Sequence, residues 1–177
     1  AFARYADEIV DSLDSQPVEQ RSQALTDLAD RFFVDLARGS SAHPVCAATV
    51  DTALRWGIPT AHFEAFIESM QMDLYIDHYD TYADLEKYVY GSAAVIGLQM
   101  VPILEPSSER AYGYAKDLGF AFQLANFIRD VGEDLQRQRI YLPLDELASF
   151  GVSPEDVRAR VVTDQFREAL KFQIARV

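Results

Sequence analysis

Apolar residues recur at helical spacing along most of the chain, and the breaks between runs fall on residues that cap or stop helices. The first run, Ala-Phe-Ala-Arg-Tyr-Ala-Asp-Glu-Ile-Val-Asp, predicts a helix from the start to about Leu13. Ser15 with Pro17 opens a second, in which Leu25, Leu28, Phe32, Phe33 and Leu36 share one face and Gly39 marks the stop. A third helix is predicted over 44–57, between Pro44 and Gly57. Thr60 caps a fourth, which carries Phe63, Phe66, Ile67, Met70 and Leu74 to about Asp77. Thr81 with Asp84 has the form of a capping box for a fifth, over 84–104. Ser107 and Ser108 precede the longest helix, which is expected to end at 135–137. Beyond it, Arg139-Ile-Tyr-Leu-Pro143 reads as a short extended loop and 144–149 as a helical turn. Ser153-Pro154 opens a further short helix, and Thr163 opens the last. No alternating strand, internal repeat or low-complexity tract interrupts the series. Short connections suit antiparallel neighbours, so the expected fold class is all-α, a helical bundle.

Composition narrows the partners. At 177 residues the chain can bury a core that needs no covalent staple. Its 28 acidic against 16 basic residues give a net charge of −12, which argues against a nucleic-acid partner and against electrostatic docking on anionic lipid. The single cysteine, Cys46, cannot pair within the chain, so a cytoplasmic location is expected. No apolar run reaches the ~20 residues of a spanning helix; the longest, 89–104, is cut by Gly91, Gly97 and Pro102. Contact with a membrane, if the ligand is greasy, is expected to be peripheral only. Because the pattern is already helical at residue 1 and still helical at residue 177, the chain reads as an internal fragment, the central part of a single domain over 1–177.

Two sets of carboxylates stand out. Asp7 and Asp11 are four residues apart on the first helix, with Glu8 between them, and so lie one turn apart on one face. On the long helix Asn126, Asp130 and Asp134 follow at the same interval, with Gln123 nearly in line, inside a strongly apolar segment. A solvated acidic face explains the first set alone. The second demands partners, since desolvated carboxylates without them cost several kcal/mol. Hard oxygen donors on two helices suit Mg²⁺, which keeps several waters and is completed by substrate phosphates. Arg4, one turn before Asp7, and Arg129, beside Asp130, are placed to contact a diphosphate. Gly91, Ser92, Ala93, Ala94 and Gly97 either permit close helix packing or leave room for a ligand, and a tyrosine face at Tyr88 and Tyr90 could stabilise a carbocation. Arg137 and Arg139, at a helix end where cations are favoured, are read as facing solvent, with a diphosphate contact as the alternative. No zinc spacing, P-loop, GxGxxG or GxSxG is present.

The segments Tyr5-Ala-Asp-Glu-Ile-Val-Asp11, Tyr88-Val-Tyr-Gly-Ser-Ala-Ala-Val-Ile-Gly97, Phe122-Gln-Leu-Ala-Asn-Phe-Ile-Arg-Asp-Val-Gly-Glu-Asp134 and Arg139-Ile-Tyr-Leu-Pro143 resemble, in order and spacing, the squalene/phytoene synthase family. Within it, 90–102 is most similar to bacterial phytoene synthases. The resemblance implies a class I isoprenoid synthase-like bundle, here truncated at both ends, and prenyltransferase activity. The implied reaction is Mg²⁺-dependent head-to-head condensation of two geranylgeranyl diphosphates through prephytoene diphosphate to phytoene, in carotenoid biosynthesis. Mn²⁺ could replace Mg²⁺, and no nucleotide cofactor is expected. It further implies that Asp7, Asp11, Asn126, Asp130 and Asp134 ligate the metal, with Glu8 where many members have Asp. Arg4, Gln123, Asn126 and Arg129 would bind substrate, and Tyr88 would lie near the reacting carbons, catalytic together with the four aspartates. The alternatives are a squalene or dehydrosqualene synthase-like enzyme using farnesyl diphosphate, or a non-catalytic helical scaffold. An incomplete cavity would leave apolar surface open to self-association.

Overall fold

The computed structural model describes residues 1–11 and 16–177. Ten α-helices are assigned among them: α1 Phe2–Val10, α2 Val18–Arg38, α3 Pro44–Trp56, α4 Thr60–Tyr75, α5 Tyr82–Val89, α6 Val95–Ile103, α7 Arg110–Asp134, α8 Leu144–Ser149, α9 Pro154–Arg158 and α10 Asp164–Ile174. A π-helical turn, Tyr90–Ala94, joins α5 to α6, and a 3₁₀ turn, Leu135–Arg137, extends α7.

The caps act where the sequence places them. Gly39 and Gly57 end α2 and α3 in the left-handed conformation that glycine enters at no steric cost. The hydroxyls of Thr81 and Thr163 accept from the amides of Asp84 and Phe166, and Ser153 with Asp156 closes a reciprocal capping box. Three boundaries differ from expectation. α1 closes on Asp11 as its C-cap, and Leu13 and Ser15 lie outside the described residues. Pro59 rather than Thr60 precedes α4, and α7 begins at Arg110, two residues beyond the serines.

Helices α1 to α4 enclose one apolar cluster, where Phe2, Ala6 and Val10 pack against Phe32, Phe63, Phe66 and Val95. A second cluster is aromatic and joins Tyr79, Tyr88, Phe127 and Tyr141. A third, around Leu142, Leu147, Val157 and Phe166, supports the end of α7 from below. The small residues of the fifth predicted helix serve close packing: a Cβ on Gly91 would fall 2.1 Å from the Ala65 carbonyl oxygen, and one on Gly97 would fall 2.6 Å from that of Ala115. No described helix is long and apolar enough to cross a membrane.

One long-range contact positions the site. After α7, Gln138 takes a left-handed conformation (φ 61°), uncommon for a side chain of its kind, and turns the chain back. The returning segment docks beside residues 77–80: the Ile140 amide donates to the Asp77 carbonyl at 2.8 Å and the Leu144 amide to that of Tyr79 at 3.0 Å. This pairing carries Arg139 and Tyr141 inward.

Candidate functional site

The apolar stripe of α1 decides where its acids go. With Phe2, Ala6 and Val10 turned into the core, Asp7 and Asp11 fall at the edge of that face, on the side of the segment that follows α7. Arg139 reaches Asp11 with Nη1 at 3.3 Å, and Arg137 approaches the same carboxylate at 3.9 Å. The expectation that these arginines face solvent is therefore corrected. The Arg139 side chain is only 12% exposed, because the docked loop buries it between α1 and α4, where the dipole of α7 is no longer the controlling interaction. Asp7 remains open to solvent, yet desolvation by its neighbours, followed by repulsion from Asp11, raises its pKa against the opposing pull of Arg137, Arg139 and Arg4.

Beneath Asp11 lies Asp73, an acid the sequence analysis passed over. Its buried carboxylate accepts from the Tyr88 hydroxyl at 2.6 Å and the Tyr141 hydroxyl at 2.9 Å, and Arg139 Nη1 stands 3.8 Å away. Arg139 also donates from Nη2 to the Asp73 carbonyl at 2.7 Å and from Nη1 to the Tyr141 oxygen at 3.2 Å. Burial raises the Asp73 pKa, opposed by Arg139 and the two phenols. Burial alone would lower that of Arg139, but Asp73, Tyr141 and Asp11 outweigh it, and the guanidinium stays charged. The signal for Asp73 was present: it interrupts the apolar face that runs through Phe66, Ile67, Met70 and Leu74, where a charge has no place without a partner.

On α7 the second acid set is held differently. Asp130 is held by its neighbour Arg129 through a pair of 2.6 Å hydrogen bonds, and this contact lowers its pKa. Asp134 makes no ion pair among the described residues, and its pKa is pushed up to about 6 by desolvation and then by repulsion from Asp130, with Arg137 and Arg139 pulling the other way. Asn126 and Gln123 are half-buried one and two turns before Asp130. Both acid sets thus flank one pair of guanidiniums, Arg137 and Arg139 acting on Asp7 and on Asp134 alike.

Other expected residues stand farther from this centre. Arg4 is exposed and pairs with Glu8 at 2.9 Å. Tyr88 is enclosed by Tyr79, Phe127 and Tyr141, with ring centroids 5.6 to 6.2 Å from its own, and its hydroxyl is engaged by Asp73. A polar cavity of about 470 Å³ opens beside Asp11, Arg21, Arg137 and Arg139.

Among the described residues no three carboxylate, imidazole or thiol groups converge to hold a metal ion by themselves. Mg²⁺ seldom asks for such a cage, since one or two carboxylates with water and phosphate satisfy it. Asp7 and Asp134, each raised by desolvation and by repulsion from the acid one turn away on its own helix, Asp11 and Asp130, belong to a set of oxygen donors that a divalent cation relieves. The residues fit the ion.

Comparison with known proteins places the chain in a family. The squalene/phytoene synthase family pattern matches residues 1–177. Phytoene synthase 1 of Arabidopsis thaliana is 39% identical over 99% of this chain, and phytoene synthase 2 of Solanum lycopersicum is 38% identical, both named as chloroplastic. The chain spans 42% and 57% of their lengths. The crystal structure of squalene synthase HpnC from Alicyclobacillus acidocaldarius superposes with a TM-score of 0.88 at 27% identity, over 99% of this chain and 65% of that one. A ligand-bound dehydrosqualene synthase gives 0.83 at 28%, over 97% and 59%. The helical architecture is that of the isoprenoid synthases, and the chain belongs to the squalene/phytoene synthase family.

Proposed function

We propose that this chain carries the metal and diphosphate site of a phytoene synthase, which joins two geranylgeranyl diphosphates head to head through prephytoene diphosphate to phytoene. One observation carries the reading: two acid pairs from helices far apart in sequence flank a shared pair of guanidiniums, as recognition of a diphosphate with its counterions requires. Relatives named phytoene synthases, 35–39% identical, favour this member of the family.

In this reading Asp7, Asp11, Asn126, Asp130 and Asp134 hold Mg²⁺, or Mn²⁺, whose charge supports departure of the diphosphate. Arg137 and Arg139 add fixed positive charge beside it, and Arg4, Gln123 and Arg129 complete the grip on its oxygens. The aromatic layer of Tyr88, Tyr141 and Phe127 stands behind the site as an electron-rich wall toward a carbocation. Along α7 the row that ends in Asn126, Asp130 and Asp134 begins with the exposed Tyr114, Leu118 and Phe122, so a single winding stripe turns from apolar to acidic. Such a stripe matches a ligand with a hydrocarbon tail and an anionic head.

A second reading, a squalene or dehydrosqualene synthase acting on farnesyl diphosphate, is favoured by the two solved structures. Product analysis of the full-length protein with Mg²⁺ and each diphosphate separately tests both. Phytoene from geranylgeranyl diphosphate supports the first reading, and a shorter hydrocarbon from farnesyl diphosphate alone moves the function to the second. No product from either leaves a non-catalytic scaffold.

A further inference from the structure

Asp73 is the acid of the site that turns into the core. Its side chain is 6% exposed, and its oxygens are divided between two phenols, Oδ2 to Tyr88 and Oδ1 to Tyr141. Nη1 of Arg139 lies within reach of three groups together: Asp11 at 3.3 Å, Tyr141 at 3.2 Å and Asp73 at 3.8 Å. One positive charge is therefore divided between an acid at the mouth and an acid in the interior.

That division has a consequence for Asp11. If the interior acid were neutral, the full charge of Arg139 would fall to Asp11, and a divalent cation would have to displace a complete ion pair. With the interior acid ionised, Asp11 is oriented by the guanidinium but only partly neutralised by it. The phenols fix the arrangement, because Tyr141 stacks on Phe127 at 4.2 Å and Tyr88 packs on both, which ties Asp73 to the α7 residue next to Asn126. Stability alone is a weak account of the cluster, since apolar groups of equal volume generally replace a buried ion pair without loss.

We propose that Asp73 is a positioning residue: by holding Tyr88, Tyr141 and Arg139 from inside, it keeps Asp11 only partly paired and available to a divalent cation. The proposal rests on the reading of Asp7 and Asp11 as cation ligands.

The test uses the full-length protein and the variant Asp73→Asn, which keeps the size of the side chain and one acceptor but removes the charge. Mn²⁺ binding without substrate, followed by the paramagnetic signal of the free ion, is expected to weaken about 10- to 100-fold, the usual effect of removing an outer partner at a metal site. With prenyl diphosphate, kcat falls by a similar factor while KM stays within about threefold. Tyr141→Phe removes one of the three groups served by Arg139 Nη1 and one of the two donors that hold Asp73, which turns Nη1 toward Asp11 and gives a smaller change in the same direction. It also decides the matter if Asp73→Asn fails to fold by circular dichroism. Wild-type Mn²⁺ binding in a folded Asp73→Asn protein, or in Tyr141→Phe where the first does not fold, overturns the proposal, as does a wild-type protein that binds no Mn²⁺. A wild-type protein that binds Mn²⁺ yet turns over neither diphosphate defeats the proposed function alone, and the binding measurement still decides on Asp73.

Discussion

Asp7 and Asp11 on α1 and Asp130 and Asp134 on α7 share the same spacing, yet the protein around them handles their charge differently. Asp11 is met by two guanidiniums brought from the segment after α7, one of them nearly buried. Asp130 has only its exposed neighbour Arg129, and Asp134 has no ion-pair partner among the described residues. In each pair one carboxylate is met by a cation, Asp11 by Arg139 and Asp130 by Arg129, while the other, Asp7 or Asp134, makes no ion pair among the described residues and has a raised pKa. The same spacing therefore carries an acid anchored by a nearly buried arginine in one helix and an acid held only by an exposed neighbour in the other.

The largest effect expected from this contrast is on turnover. In the full-length protein Asp134→Ala should reduce kcat on the order of 10³-fold, comparable to removal of a preorganised charge-stabilising group. The metal-free protein should lose no stability, because a desolvated and repelled carboxylate has been removed. Asp11→Ala should reduce turnover as well, but it also leaves Arg139 short of a partner and lowers the melting temperature. Equal melting temperatures for the two variants would erase the distinction between the helices.

Next in size is the difference between the two arginine contacts. Arg139→Met leaves Asp73 buried without its cation, a change that costs about 3–5 kcal/mol. Arg129→Met removes a contact whose arginine side chain is largely in water, for which about 0–1 kcal/mol is typical. Urea unfolding of both variants measures the gap, and a large loss for Arg129→Met would mean that the α7 pair is anchored after all.

This asymmetry was only half legible in the sequence. Helix limits were, because Gly39, Gly57, Thr81, Ser153 and Thr163 act locally and their caps need no tertiary information. The acid spacings were too, since a four-residue interval fixes a face. Arg139 was misread because its burial depends on a partner 66 residues away, the α4 end carrying Asp73, and no local rule reports that contact. Asp73 carried a readable sign, a charge on an apolar face, but its meaning required the phenols of Tyr88 and Tyr141. The π turn at Tyr90–Ala94 left no mark beyond its small residues.

A smaller effect separates the acids by pH. Asp134 titrates near 6 in the folded protein against an ordinary 3.8, so the folded state holds its proton more tightly than the unfolded state. Its contribution is therefore most favourable below about pH 4 and is lost as the pH rises through about 6. Asp7 shifts in the same direction. Asp130, lowered by Arg129, acts oppositely and is already ionised across that window. The melting temperature of metal-free protein should thus fall between about pH 4 and 6 relative to Asp134→Asn, and saturating Mg²⁺ should abolish the difference. A wild-type profile parallel to that of Asp134→Asn would show that Asp134 is not held in a repelled state.

The smallest effect tests whether the helical turn that carries the α7 acids faces solvent. Gly132 lies between Asp130 and Asp134 in a regular helix, and a Cβ there meets nothing within 4 Å. Gly132→Ala should therefore stabilise the chain by about 0.5–1 kcal/mol through the lower entropy of its unfolded state. By contrast, Gly91→Ala, whose Cβ would strike the Ala65 carbonyl, should destabilise it. Thermal melts of the two variants compare a solvent-facing turn with a packed one. If Gly132→Ala lowered the melting temperature, some group would have to pack over the turn that carries Asp130 and Asp134. That group would add to the desolvation that already raises the Asp134 pKa, and the second acid set would then be enclosed more tightly than the arginine-anchored acid of α1.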